Sequence, residues 1–197
     1  MLNRFPSRFR VRRWTIGRAP HARAAAVTIL ASAIVLAGVA CSDLLRREPR
    51  KSQPALVEQS MGRTRITVRY NRPVARGRIL FGGIVKYGEV WDPGADEATT
   101  LEVSRDVLFG GEPLAAGRYS VWAIPEAHRW TIILSTADRV PHVPYPEGHD
   151  ALRLVVRPDS APHMEALGFT FPVADSMHTD LALQWGTTRV TIPITAR

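Results

Sequence analysis

The folded part of this sequence predicts an all-β protein, an antiparallel sandwich of about eight to ten short strands. Three observations predict it. Apolar and polar residues alternate at period two along most of the chain after residue 58, turn-forming glycine and proline pairs separate the alternating stretches, and only Ala161 to Leu167 has a helical pattern. A polar outer face on each strand suits an antiparallel sheet better than a buried parallel one, and of the two antiparallel architectures a sandwich is expected ahead of a closed barrel.

The chain has 197 residues and no internal repeat, which fits one domain behind a leader. Its +8 charge would invite a nucleic-acid partner if it lay on the fold. It does not. Arg4, Arg8, Arg10, Arg12, Arg13, Arg18 and Arg23 precede the first acid at Asp43, which leaves 19 of the 26 basic residues against all 18 acidic ones from Ser42 onward. The remainder is nearly neutral, so no groove for a phosphate backbone is expected and nucleic acid is excluded as a partner.

Residues 1–40 read as a basic n-region followed by a hydrophobic signal segment, Ala24 to Ala40, seventeen residues without a charge. The only cysteine, Cys41, follows at once in LAGVACS, which resembles a bacterial lipobox. Cys41 is then the lipidation site, and its acyl chains would hold the protein to a membrane without spanning it; the alternative readings of the segment are an uncleaved anchor and an ordinary cleaved signal. Residues 41–58 form a polar, proline-bearing tether, and 59–197 the sandwich, enough chain to bury ~68% of its unfolded surface. The expected address is extracytoplasmic, as a membrane-anchored lipoprotein facing the periplasm or the cell surface. With Cys41 lipidated the fold has no thiol, which removes disulfides, thiolate metal sites and cysteine nucleophiles.

The strands follow in order. Ile66, Val68 and Tyr70 share one face, with Arg65, Thr67 and Arg69 on the other. Thr99, Leu101 and Val103 alternate with Thr100, Glu102 and Ser104; Val107 to Phe109 meets the turn pair Gly110-Gly111; Gly117 precedes RYSVWAIP, a strand that ends at Pro125. Trp130, Ile132 and Leu134 make the next stripe, then Leu152, Leu154 and Val156, then Leu167, Phe169 and Phe171, then Leu181, Leu183 and Trp185. A turn at Gly186-Thr187 is expected to return the chain into Val190, Ile192 and Ile194, and Pro193, lacking an N–H, places that last strand at an edge.

The stretch Tyr70 to Thr100, YNRPVARGRILFGGIVKYGEVWDPGADEATT, interrupts this regularity. Together with VLFGGEPLAAGRYSVWAIP and RWTIIL it resembles the bacterial family named for a domain of unknown function, DUF2911, across nearly all of residues 59–197. The matching positions are Arg72, Pro73, Gly77, Arg78, Gly82, Gly88, Trp91, Gly94, Glu97, Ala98 and Thr99. The family pattern usually has Arg where this chain has Asp92, Asn where it has Asp96, and often proline at Lys86. The resemblance implies a secreted or lipid-anchored all-β domain and carries no activity with it.

Asp92, Asp96 and Glu97 lie within six residues of one another. Paired carboxylates can divide general acid and base roles, but Asp92-Pro93-Gly94 is also a good turn, with Asp bonding nearby backbone and Pro presetting φ. Arg72, Arg76 and Arg78 could face these acids, in an internal pair such as Arg72 with Glu97, or grip an anionic ligand. Tyr87 and Trp91 offer a stacking platform for a sugar or peptide, or else core packing. Arg72, Arg78, Tyr87, Trp91, Asp96, Glu97 and Thr99 are therefore the ligand-binding candidates. His142 and His149, with Glu147 and Asp150, share a proline-rich loop, with a spacing that matches no metal site. Ser104 and Ser120 lack a glycine elbow, and no glycine loop leads into a helix to cradle phosphate, so no cofactor is expected.

These residues read together as a non-catalytic binding or interaction module of the bacterial envelope, with an envelope glycan or peptide as ligand. The alternatives are a hydrolase acting on those polymers through Asp92, Asp96 and Glu97, and a purely structural domain. Oligomeric state is left open.

Overall fold

A computed structural model describes residues 52–197, which fold into ten strands with no helix among them. They are β1 (Gln53–Met61), β2 (Thr64–Arg72), β3 (Thr100–Val103), β4 (Val107–Phe109), β5 (Glu112–Leu114), β6 (Gly117–Pro125), β7 (Trp130–Ser135), β8 (Asp150–Val156), β9 (Asp159–Thr170) and β10 (His178–Ala196). They form a six-stranded sheet in the order β1-β2-β3-β6-β7-β8 and a four-stranded sheet in the order β5-β4-β10-β9. Every ladder between named strands is antiparallel.

The two sheets pack face to face as a sandwich, and the period-two stripes make the core. Ile66, Val68, Leu101, Val121, Ile132 and Leu134 of the larger sheet join Phe109, Leu167, Phe169, Leu183, Ile192 and Ile194 of the smaller in one buried cluster. Each such side chain contributes on the order of 1.5–3 kcal/mol by leaving water. Tyr70 ties the sheets together directly: its ring meets Phe169 edge-on at 4.9 Å, and its hydroxyl accepts the Phe169 N–H at 3.1 Å.

Four details differ from the sequence reading. β1 begins at Gln53, so Gln53 to Glu58, which composition groups with the tether, belongs to the sandwich; Ala55 and Val57 pack against the core while Leu56 is left outside. Ala161 to Leu167 lies inside β9, where pairing with β10 overrides the helix propensity of Met, Glu, Ala and Leu. Gly186-Thr187 is not a turn between strands. β10 runs through it as one strand with a bulge, where the register against β9 shifts on both sides of Gly186 and that residue has φ +59°, a conformation natural to glycine. The strand carrying Pro193 is consequently interior, between β4 and β9. Proline fits there because β9 has stopped pairing at Arg189 and β4 turns away at Gly110, whose N–H donates to the Pro193 carbonyl at 2.8 Å.

The outer face of the six-stranded sheet is not bare. Trp122 and Ile133 project outward from β6 and β7 and are buried with Ala98, under Val140 and Tyr145. The indole N–H of Trp122 donates to Ser120 Oγ at 2.8 Å, and its ring meets Tyr145 edge-on at 5.3 Å. Two loops, 92–98 and 138–145, thus have an apolar footing on that face, and the candidate site forms beside it.

Candidate functional site

The long connection from β2 to β3 first runs along β6. Trp91 and Ala123 exchange both backbone hydrogen bonds at 2.8 Å, and Val121 donates to the Thr99 carbonyl at 2.8 Å. Residues 92–98 are therefore an excursion from a line that Trp91 leaves and Thr99 rejoins. Asp92 closes its neck: Oδ1 accepts the Thr99 N–H at 2.8 Å, while Thr99 Oγ1 donates to the Pro93 carbonyl at 3.0 Å. Asp92 is only 3% exposed, and its Oδ2 has no hydrogen-bond partner. Burial pushes its carboxyl up from about 3.8 to about 7, against the opposing pull of the Thr99 N–H and of His142.

At the tip of the excursion the backbone is strained. Glu97 N–H donates to the Ala95 carbonyl at 2.9 Å across Asp96, whose φ is +69°. This is a γ-turn of the rarer hand, and a residue other than glycine there costs on the order of 1–3 kcal/mol unless its surroundings enforce it. The surroundings do enforce it. Asn71 Nδ2 donates to the Ala95 carbonyl at 2.7 Å, His142 Nδ1 bonds the Asp96 carbonyl at 2.7 Å, and Ala98 N–H donates to Val140 at 3.2 Å. A carbonyl oxygen only accepts, so Nδ1 is the protonated nitrogen of His142.

This clamped tip is one wall of an open cleft of about 790 Å³. The floor comes from β1, β2, β3 and β6, and residues 138–141, bonded to the tip through Ala98 N–H to Val140, continue the lining beside it. Charges of both signs line it: Arg69, Arg118 and Arg139 against Asp96, Glu97 and Asp138. Arg118 is held by Glu102 at 2.8 Å and faces Asp138 at 3.7 Å. Among the described residues, the side chains of Arg69, Arg139 and Asp96 make no hydrogen bond or ion pair with one another or with any other group. Asn71 is buried in the floor; its Nδ2 lies 3.4 Å from Glu97 Oε2 and its Oδ1 has no partner. Half-exposed Leu56 and Val140 add apolar surface between the charges.

The candidate residues do not share one site. Asp96 and Glu97 line the cleft, Thr99 and Asp92 sit buried at the neck behind it, and Arg72 is engaged with β9 through Nε to the Leu167 carbonyl at 3.2 Å. Arg78 folds back on its own loop, donating to the Ala75 and Val74 carbonyls at 2.9 and 2.6 Å. Trp91 belongs to an aromatic cluster, stacked at 6.2 Å on Trp185 and edge-on to Phe81 and Trp130. Tyr87 lines a separate depression with Phe81 and Trp130. His142 serves the tip, and His149 contributes its backbone carbonyl to Thr136. Cys41 lies outside the described residues.

Asn71, Arg69, Arg118, Asp138 and Arg139 are cleft residues that a reading centred on residues 70–100 passes over. One signal could have found two of them: the alternation that turns Ile66, Val68 and Tyr70 inward turns Arg69 and Asn71 outward together. A family model described as a protein of unknown function (DUF2911) matches residues 52–194. No curated protein and no solved structure matches the chain.

Proposed function

The chain belongs to the DUF2911 family, and from that premise we propose that it is a membrane-tethered, extracytoplasmic binding module whose cleft holds a peptide of the bacterial envelope. The tether is read from the basic leader, the apolar run and Cys41. The observation that carries the ligand class is that two unpartnered cations, Arg69 and Arg139, line the same cleft as the unpartnered carboxylate of Asp96. A peptide with a free carboxylate and a free ammonium matches both signs at once. A guanidinium fork takes the carboxylate in two parallel bonds, and the carboxylate of Asp96 takes the ammonium. The strained γ-turn supports the same reading, because it fixes the backbone from which the Asp96 side chain leaves before any ligand arrives. Asp92, the carboxyl whose proton affinity is shifted toward neutrality, stands behind the wall and not on it, which supports recognition over acid–base catalysis through that group.

The test is calorimetric titration of the detergent-solubilised full chain with the tetrapeptide Ala-Glu-Lys-Ala, both termini free. Saturable binding should weaken at least about tenfold in Arg139→Ala and in Asp96→Asn, and when the peptide's C-terminus is amidated. Absence of binding, or binding indifferent to all three changes, refutes the ligand class. The address is tested by Cys41→Ser, which should move the protein out of the membrane fraction.

A further inference from the structure

We propose a second binding site, for an oligosaccharide, in a depression that shares no lining residue with the cleft of Asp96. It has a volume of about 240 Å³ and lies where the β6–β7 turn, the β8–β9 turn, the β10 bulge and the loop 81–87 come together. Its aromatic wall is Tyr87, Phe81 and Trp130, of which Tyr87 is 48% exposed. The rest of the lining is mostly polar, Asp159 and Glu126 with the hydroxyls of Ser160, Thr187 and Thr188, joined by Ala127 and Pro158.

Two features distinguish this lining from an ordinary solvated surface. Among the described residues, the side chains of Asp159, Ser160, Thr187 and Thr188 have no hydrogen-bond or ion-pair partner, so four adjacent polar groups stand unused beside an aromatic ring. The ring itself is braced. Tyr87 lies directly on Gly82, where a Cβ would come within 2.8 Å of the ring carbon Cε2. Glycine thus lets the ring pack against the loop backbone, and the loop is closed by Gly82 N–H to the Val85 carbonyl at 2.8 Å.

This combination matches a pyranose. A sugar presents an apolar face of C–H groups, which an aromatic ring covers, and a rim of adjacent hydroxyls that donate to carboxylates and exchange hydrogen bonds with Ser and Thr. A lipid would call for a deeper apolar pocket than these hydroxyls and acids provide, and a peptide carboxylate would call for a cation, which the lining of the depression lacks. The depression also continues, through Glu126, Ala127, Pro158 and Asp159, into an open groove of about 850 Å³ beside His128, Arg129 and Arg157. A chain of several sugars, with one ring on Tyr87, follows that path. Glu126 is held by Arg129 at 2.6 Å, which keeps its carboxylate ionised and oriented as an acceptor.

Trp130 forms part of the wall and lies 4.7 Å from Phe81, so occupation of the depression should register in tryptophan fluorescence. The full chain in detergent would be titrated separately with chitohexaose, cellohexaose and maltohexaose. At least one should give a saturable change that is weakened about tenfold or more by Asp159→Asn and by Tyr87→Ala, and retained in Tyr87→Phe. Asp159 is exposed and makes no internal bond, so Asp159→Asn decides the matter even if Tyr87→Ala fails to fold. No saturable change with any of the three overturns the proposal, as does a change that survives Asp159→Asn. A change abolished by Arg139→Ala also overturns it, by assigning the sugar to the other cleft.

Discussion

Asp92 makes the stability of this fold depend on pH in the direction opposite to an ordinary carboxylate. Its folded carboxyl has been raised from about 3.8 to about 7, chiefly by burial. The fold therefore prefers the protonated form. Stability is greatest below the ordinary value, falls as pH climbs through the window from about 4 to 7, and is level above it. At ~1.4 kcal/mol per tenfold change in proton affinity, the whole loss is about 4 kcal/mol, of which about 3 kcal/mol falls between pH 5 and pH 8. For a domain of this size that lowers Tm by roughly 10 °C. Asp92→Asn keeps an oxygen for the Thr99 N–H and removes the ionisation, so its Tm should change far less over the same range. The difference between variant and wild type, followed by calorimetry or by urea unfolding at pH 5, 6, 7 and 8, isolates this one group. Asp175 and Glu165 do not confuse it: their folded values are lowered, so the stability they supply is present above the ordinary carboxylate range and lost only as pH falls. Parallel curves for variant and wild type between pH 5 and 8 would refute the reasoning.

Substitutions at three positions probe the same architecture further. Asp96→Val should lower unfolding free energy by roughly 1–3 kcal/mol in urea titration, because a β-branched residue resists φ +69°, while Asp96→Asn, which tolerates that conformation, should stay within about 0.5 kcal/mol. Gly83→Ala should destabilise by about 1–3 kcal/mol in the same assay, since its Cβ would fall 2.1 Å from the Ile79 carbonyl oxygen and backbone must move. Trp122→Ala should cost about 3–5 kcal/mol and remove the Trp122 contribution to the near-ultraviolet circular dichroism while leaving that of the Trp91, Trp130 and Trp185 cluster, for it empties the small core under loops 92–98 and 138–145.

The strand faces were legible because burial enforces a period of two: Ile66, Val68, Leu101, Val103, Ile132, Leu134, Leu183 and Ile192 all point as the pattern says. What the pattern lacks is a way to tell a bulge from a turn. Gly186-Thr187 has turn composition, and only the continuation of β10 against β4 shows that the chain does not reverse there. β1 is hard to read for a related reason: at an edge its inward residues, Ala55 and Val57, are small, and Leu56 faces out. In the site, the carboxylates of the excursion were legible as a cluster because they are close in sequence. The cations that answer them, Arg118 and Arg139, come from β6 and from the loop after β7, and nothing local to residues 92–97 points to them. Trp91 and Glu97 are six residues apart and yet stand on different surfaces, a separation set by backbone pairing and not by composition.

That pairing explains why so many special residues crowd one connection. The rung between Trp91 and Ala123 divides the β2–β3 crossover into two parts with different supports. Before it, residues 79–87 rest on the end of the sandwich: Leu80 and Val85 are buried in the core, and Gly186 of the bulge leaves room for Leu80, whose Cδ1 would lie 2.7 Å from any Cβ there. After it, residues 92–98 rest on the outer face of the larger sheet, held by Asn71, Thr99, His142 and Val140. Each part presents charged or aromatic groups that its own backbone does not use, Tyr87 on one side and Asp96 on the other. A single connection therefore builds one wall of each depression, and the bulge in β10 and the buried carboxyl of Asp92 are the structural conditions for the two walls respectively. Disturbing the shared rung should move both surfaces together, whereas disturbing Gly186 or Asp92 should reach only one.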